Sequence, residues 1–462
     1  MDKNFSKSKG ITFDVLVFLI GNVLAKAVQF FLLPLFTAYM STDAYGSGEL
    51  INNFSELLLP FATLCIYDSV FRFSVNENNS AFLNSAISLL MRSAIICGVA
   101  VIAFWLISKD WAIVYLFVIV YLYSLKMILA YYIRGKGKSV YYALSGVINA
   151  FSLFLFSSVF LVLLGFEARG YLASIALAYM VTSIFLLFGI EEKMVITIWP
   201  IDKEIYRKML KYSTPLIIYN TGYWITNMSG RYAISIFSGV GNAGIYLAAM
   251  KIATIINMIQ QAFFMAFQLN GAKQYDQKGS NEYFDDILKI YLAVVFIFGG
   301  AVMMLYKVIA RITLHGDFYS AVVFLPVIIL GAIVDCFFCY FKVLYTVFKR
   351  TKRIIISVLI GAIVNVFMCV ILVPQLGILG ACISSIICFF AQGVFRIFDT
   401  RAFIKIRINW AELLTVLFGM VMQMFLYMNG YYWEAVLLYL IISAVLVVGV
   451  VRFWRSRSYR QL

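Results

Sequence analysis

Charge is scarce in this chain: Lys, Arg, Asp and Glu together make up 13% of 462 residues, and histidine occurs once. A lone imidazole, His315, cannot assemble a histidine metal cluster, so no metal and no other cofactor is expected. No glycine-rich phosphate loop precedes a nucleotide-binding domain, which argues against ATP hydrolysis. The seven cysteines all fall within apolar runs, where cysteine acts as a small apolar residue, so no disulfide framework is implied. Cys336 and Cys339 have the spacing of a redox or metal pair but sit beside Phe337 and Phe338 in an apolar helix. On one side of the apolar runs no connecting loop exceeds about a dozen residues, too little surface for a membrane glycosyltransferase or polymerase, so no catalytic residue is assigned and the chain is not expected to be an enzyme.

What fills the chain instead is hydrocarbon: 63% of residues are hydrophobic and the mean hydropathy is +0.93. Apolar stretches of 18 residues or more follow one another from Ile11 to Val451, the signature of an all-α polytopic membrane protein. Continuous rather than alternating apolarity excludes a transmembrane barrel. The first run lacks a short apolar region with a small-residue cleavage site, so a retained helix is expected rather than a signal peptide. Breaks and charges place about fourteen spans, roughly 11–40, 46–71, 83–107, 111–133, 140–165, 171–190, 214–239, 243–271, 284–306, 319–346, 354–374, 376–397, 410–428 and 433–451. With both termini cytoplasmic, 26 of the 37 Lys and Arg fall in inner segments and four in outer loops, the bias that orients bacterial inner-membrane proteins. The same bias explains the net charge of +15 through anionic membrane lipids, without nucleic acid.

The sequence also repeats. Leu19-Ile20-Gly21-Asn22 recurs as Ile217-Ile218-Tyr219-Asn220, and a glycine follows each Asn by 24 residues, at Gly46 and Gly244. Arg134-x-Lys136 with Ile148-Asn149-x-Phe151 recurs as Arg350-x-Lys352 with Val364-Asn365-x-Phe367. Parallel repeats of this kind occur in transporters whose halves rock about a central site. The expected organisation is therefore an N lobe (1–190, spans 1–6), a cytoplasmic amphipathic linker (191–213), a C lobe (214–397, spans 7–12), and a basic loop with two extra helices and a tail (398–462). The two six-helix lobes would surround a central cavity.

Charges at membrane depth cost roughly 2.5–3.5 kcal/mol each and tend to mark a water-filled path. Lys26, Arg231 and Lys251 lie well inside apolar runs and predict an anionic passenger, against the plainer readings of an ion pair with Glu56 for Lys26 and snorkelling for the other two. Arg92, Lys126 and Lys342 are read as snorkelling to the inner headgroups. Among the acids, Glu56 and Asp335 are deepest and are candidates for ion coupling, with charge balance as the alternative. Asp68 and Arg72, four apart, are read as a pair at the inner boundary. Pro34, Pro60, Pro215 and Pro326 are candidate bends.

Phe18-Leu19-Ile20-Gly21-Asn22, Leu32-Leu33-Pro34-Leu35, Ser41-Thr42-Asp43-Ala44-Tyr45-Gly46 and the 67–73 segment YDSVFRF resemble bacterial Wzx-type polysaccharide flippases. So do Asn242-Ala243-Gly244-Ile245-Tyr246, Ala248-Ala249-Met250-Lys251-Ile252 and Val373-Pro374-x-x-Gly377-Ile378-Leu379-Gly380-Ala381, and the likeness runs over nearly the whole chain. The resemblance implies the multidrug/oligosaccharidyl-lipid/polysaccharide exporter superfamily, and a substrate of undecaprenyl-pyrophosphate-linked oligosaccharide moved by alternating access for O-antigen or related polysaccharide biosynthesis. It also implies a polysaccharide polymerase and other assembly proteins as partners. The three cations would then face the pyrophosphate, and Asn22, Gln29, Asn220, Tyr223, Trp224 and Gln260 would be glycan contacts, with Asn52, Asn53, Asn227 and Gln261 as further polar candidates. A drug or metabolite exporter of the same superfamily is the near alternative, favoured if carboxylates dominate the cavity. A membrane enzyme acting on lipid-linked glycans is the distant one.

Overall fold

A computed structural model of the chain describes residues 21, 27–28, 30–75, 80–192, 197–199, 202–274, 280–348, 350 and 352–458. Among the described residues the regular structure is all helical. Fifteen helices follow a short first one, α1 (Phe30–Tyr39). They are α2 (Thr42–Thr63), α3 (Ile66–Ser74), α4 (Ala81–Ser108), α5 (Trp111–Gly135), α6 (Ser139–Ser157), α7 (Ala168–Phe188), α8 (Lys203–Ser213) and α9 (Leu216–Ser238). Then come α10 (Val240–Gln274), α11 (Ser280–Thr313), α12 (Leu325–Val347), α13 (Lys352–Leu376), α14 (Ile378–Thr400), α15 (Trp410–Met428) and α16 (Tyr432–Ser458). Among the described residues, nine helices are long and apolar enough to cross a membrane, or up to ten if the bent pair α2 and α3 forms one span. Helices α9 and α10 have the length without the apolarity, because Asn220, Thr221, Tyr223, Asn227, Ser229 and Arg231 crowd the first of them.

Two compact units divide the chain, residues 1–228 and 229–462, and the division falls inside α9. In the first unit α5 packs against α2, α3, α4 and α7. Its core joins Ile66, Tyr67 and Val70 of α3, Phe82, Leu83 and Ala86 of α4, Ile128, Leu129 and Ile133 of α5 and Met209 of α8. Asp202 caps α8 by accepting the amides of Glu204 (2.8 Å) and Ile205 (3.0 Å), which starts a short helix within the expected amphipathic linker 191–213. The basic turn after α5 is tied to the residues following α7 by two ion pairs at 2.7 Å, Lys136 with Glu192 and Lys138 with Glu191.

The expected second span, 46–71, is broken. Helix α2 runs through Pro60 to Thr63, and the axis then turns by 65° at Leu64 and Cys65, both left-handed at φ 48° and 54°. Neither residue is glycine, so each position costs backbone energy that surrounding packing must hold in place. Of the expected proline bends, Pro326 instead opens α12 near its first residue, where its missing N–H has no helical partner to lose.

The second unit is built around α12, whose membrane-length window is 78% buried against 11% for that of α16. It packs against α10, α11, α14 and α15. Helices α15 and α16 dock on α11 through Tyr439 Oη donating to the Ile297 carbonyl (3.1 Å) and Gln423 Nε2 donating to that of Gly300 (3.2 Å). Large side chains such as Ile96, Ile107, Leu163, Phe188, Ile363 and Trp433 stay exposed on the protein surface, as hydrocarbon-facing residues do.

The hairpin of α13 and α14 closes through Gly377, at φ 56°, and Gly380, where a Cβ would collide with the Leu372 carbonyl and the Val373 amide. Gly380→Ala is expected to cost about 1–3 kcal/mol, read as a fall in thermal midpoint, because backbone cannot yield as a side chain does. Gly98→Ala, whose Cβ would sit 3.3 Å from a movable Phe117 ring, is expected to leave the midpoint nearly unchanged. Partial burial pushes the Glu192 carboxyl up, but hydrogen bonds from Lys136 and its own backbone outweigh this and hold it below the usual carboxylate range. Its contribution to stability is therefore present at neutral pH and lost as pH falls through that depressed value. The thermal midpoints of wild type and Glu192→Gln should differ at neutral pH and converge in acid.

Candidate functional site

Within the first unit, two acids lie two turns apart along α2. Glu49 is 1% exposed and accepts hydrogen bonds from the Tyr171 hydroxyl of α7 (2.8 Å) and the Tyr45 hydroxyl one turn earlier (3.3 Å). Two turns further on, Glu56 is exposed and lies close enough to Tyr123 of α5 and Tyr179 of α7 to act on both electrostatically. Those two rings are stacked with centroids 5.0 Å apart.

Lys126 sits over the same pair, its ammonium 4.9 Å from the Tyr179 ring centre and 5.7 Å from that of Tyr123. This corrects the snorkelling assigned to it. Helical side chains lean toward the N-terminus of their helix, and in α5 that direction leads away from the basic turn at 134–138. Lys126 lies nine residues before the end of α5, about 13 Å of helix, and its head rests on aromatic faces at that depth. Arg92 lies over Tyr206 of α8 (5.0 Å) and Trp199 (5.6 Å), and its Nε donates to the Ser88 carbonyl (3.3 Å). Tyr123 three residues before Lys126, one turn away on a helix, was the sequence signal for this site.

From α9, two side chains grip the broken span. The Asn220 amide donates to Cys65 Sγ and the Tyr67 hydroxyl, both at 3.3 Å, and Trp224 Nε1 donates to the Asn53 carbonyl at 2.7 Å. Tyr223 is 47% exposed on the same helix and stacks on Tyr219. Lys26, Asn22 and Gln29 lie outside the described residues.

In the second unit, the most buried cation among the described residues lies at the end of the expected span 376–397 and was not singled out as a site. Arg396 is 3% exposed. Its Nε donates to Ser357 Oγ of α13 (2.9 Å), and an Nη donates to the Gln392 side-chain oxygen one turn earlier. Gln392 fits because position 361 is glycine, where any Cβ would overlap its amide. Asp335 of α12 lies within electrostatic reach of Arg396 and of Lys342, and its Oδ1 accepts the Cys339 thiol at 3.6 Å. Gln392-x-x-x-Arg396 within the apolar run of α14 was the available signal. Arg231 and Lys251 are both half-buried, on the polar helices α9 and α10. Arg231 acts electrostatically on Tyr246 of α10, and the neighbouring Gly230 faces Tyr246, Cys369 and Ala381. Gln260 is buried on α10. Glu56 and Asp335 therefore belong to different units and sit in different company.

No family profile and no curated protein matches the sequence. Among solved structures, the fold is similar to that of the lipid II flippase MurJ in an inward closed conformation, with TM-score 0.72 and 14% identity over 96% of this chain and 99% of that one. It is also similar to an inward-facing multidrug resistance MATE transporter of the MOP superfamily, with TM-score 0.60, 14% identity and coverage of 83% and 94%. A MOP superfamily transporter from Pyrococcus furiosus matches with TM-score 0.57, 15% identity and coverage of 84% and 96%. The all-helical MurJ and MATE type of fold is thereby established for a multi-pass membrane protein of this length.

Removing the Arg396 side chain would take from Asp335 the stronger of its two compensating charges, Arg396 and Lys342, and leave Ser357 and Gln392 without their donor. Arg396→Ala is expected to cost about 3–5 kcal/mol. Adding Asp335→Asn should recover part of that loss, so the double variant unfolds at a higher temperature than Arg396→Ala alone; additive losses would show that the two groups do not communicate.

Proposed function

We propose that this chain is a flippase that moves undecaprenyl-pyrophosphate-linked oligosaccharide repeat units from the inner to the outer leaflet of the bacterial cytoplasmic membrane, serving surface polysaccharide biosynthesis of the O-antigen kind. The observation that carries this reading is coverage. The lipid II flippase fold spans 96% of this chain, helices beyond the common bundle included, while the multidrug exporters reach 83–85%. Intramembrane cations support the same choice. Lys26, Arg231 and Lys251 outnumber what a carrier of cationic drugs would need, and suit a pyrophosphate that must leave its headgroup environment.

In this reading both termini are cytoplasmic, the lobes alternate between inward and outward access, and the polyprenyl tail stays in lipid while headgroup and glycan pass. Tyr223, exposed on the polar helix α9, and Gln260 on α10 offer glycan contacts. Asn220 and Trp224 serve the same helix by fixing it against the broken span. Asp335, beside Arg396 and Lys342, contributes chiefly charge balance, which leaves Glu56 as the better ion-coupling candidate. The exporter reading draws its support from the MATE folds at TM-scores up to 0.60.

Deleting the gene is expected to make lipid-linked repeat units accumulate on the cytoplasmic face, and Lys26→Ala or Arg231→Ala to lower export at least tenfold with normal protein level. An unchanged distribution of lipid-linked units in the deletion strain, with lost efflux of cationic dyes, would favour the exporter.

A further inference from the structure

Lys126 is a poorly compensated charge in the first unit. Its ammonium rests on two tyrosine rings and makes no hydrogen bond and no ion pair among the described residues. Cation–π contact returns only part of what an unpaired charge costs inside a membrane. The residue as a whole keeps partial exposure, and an ammonium carries three N–H donors, none of which is used among the described residues.

The surroundings supply acceptors as well. Glu56 acts on the same two rings, and Asn52, one turn before it on α2, holds a buried side-chain oxygen with no hydrogen-bond donor among the described residues. A cation, two acceptors and a stacked aromatic pair make a mixed surface. Drug cations have no use for Lys126, and a pyrophosphate needs several donors with no carboxylate nearby. A pyranose ring matches the set: its C–H face lies on tyrosine, its hydroxyls donate to Asn52 and Glu56, and one negative substituent answers one ammonium.

We propose that Lys126, Tyr123 and Tyr179, with Glu56 and Asn52, form a recognition site in the first unit for an acidic sugar of the transported glycan, one that carries a carboxylate. The inference rests on the lipid-linked glycan reading above. It adds that the passenger's charge is not confined to its pyrophosphate, and that this site selects among glycans.

Binding to the purified full-length chain in detergent tests the site apart from transport. The probes are a soluble oligosaccharide containing a uronic acid and the same oligosaccharide with that carboxyl reduced to an alcohol. Wild type is expected to bind the acidic probe at least tenfold more tightly. Lys126→Gln should abolish the preference, Lys126→Arg should keep most of it, and Tyr179→Ala should weaken both probes together. Glu56→Gln should widen the preference by removing a competing negative charge, and it carries the test if Lys126→Gln does not yield folded protein. Equal binding of the two probes by wild type, a preference that survives in folded Lys126→Gln, or a preference narrowed by Glu56→Gln would each overturn the proposal. Reconstituted vesicles separate this from the flippase reading: a chain that binds the acidic probe selectively but flips no lipid-linked glycan keeps the site and loses the assigned function.

Discussion

Hydrocarbon offers no water to a buried polar group, so a charge carried into a membrane must be met by protein or by whatever the protein carries. The charged side chains of this chain meet that constraint to different degrees. Glu49 is fully answered, with two tyrosine hydroxyls on one carboxylate. Arg396 is answered by a serine, a glutamine and the nearby charge of Asp335. Among the described residues, Lys126 has only ring faces. That ordering separates groups that hold the bundle together from the group whose partner arrives from outside, and it does so without reference to any relative.

The class of fold was legible because it depends on composition and run length, which a bilayer reads almost directly. The amphipathic α8 was legible for a similar reason: Asp202 caps and Met209 faces inward at helical spacing. The broken span was legible only as a candidate bend at Pro60, four residues before the turn; the two left-handed residues themselves are leucine and cysteine, which carry no turn signal. Asn220, 155 residues away in sequence, grips the turn at Cys65 and Tyr67, and beyond Pro60 no local pattern announces where the axis turns.

Charge positions were legible and charge directions were not. Lys126 and Arg396 both sit near the basic ends of apolar runs, where depth alone suggests an extended side chain reaching for headgroups. Helical geometry decides otherwise for Lys126, and a gap left by Gly361 decides for Arg396. The two C-terminal helices had no counterpart in the repeat and read as an appendage. Gly300 brings Tyr439 and Gln423 against the backbone of α11 and makes them part of the second unit's packing.

Helix α8 is fastened to the bundle in a particular place. Ser69 of α3 donates to the Met209 carbonyl at 2.7 Å, and the Arg72 guanidinium lies 4.8 Å from the Tyr212 ring centre. These attachments reach α3, the short arm beyond the bend, and not the long arm α2. The two arms of the bent span therefore answer to different neighbours: the short arm is fastened to α8, the long arm bears Glu49 and Glu56, and the turn between them is two residues wide.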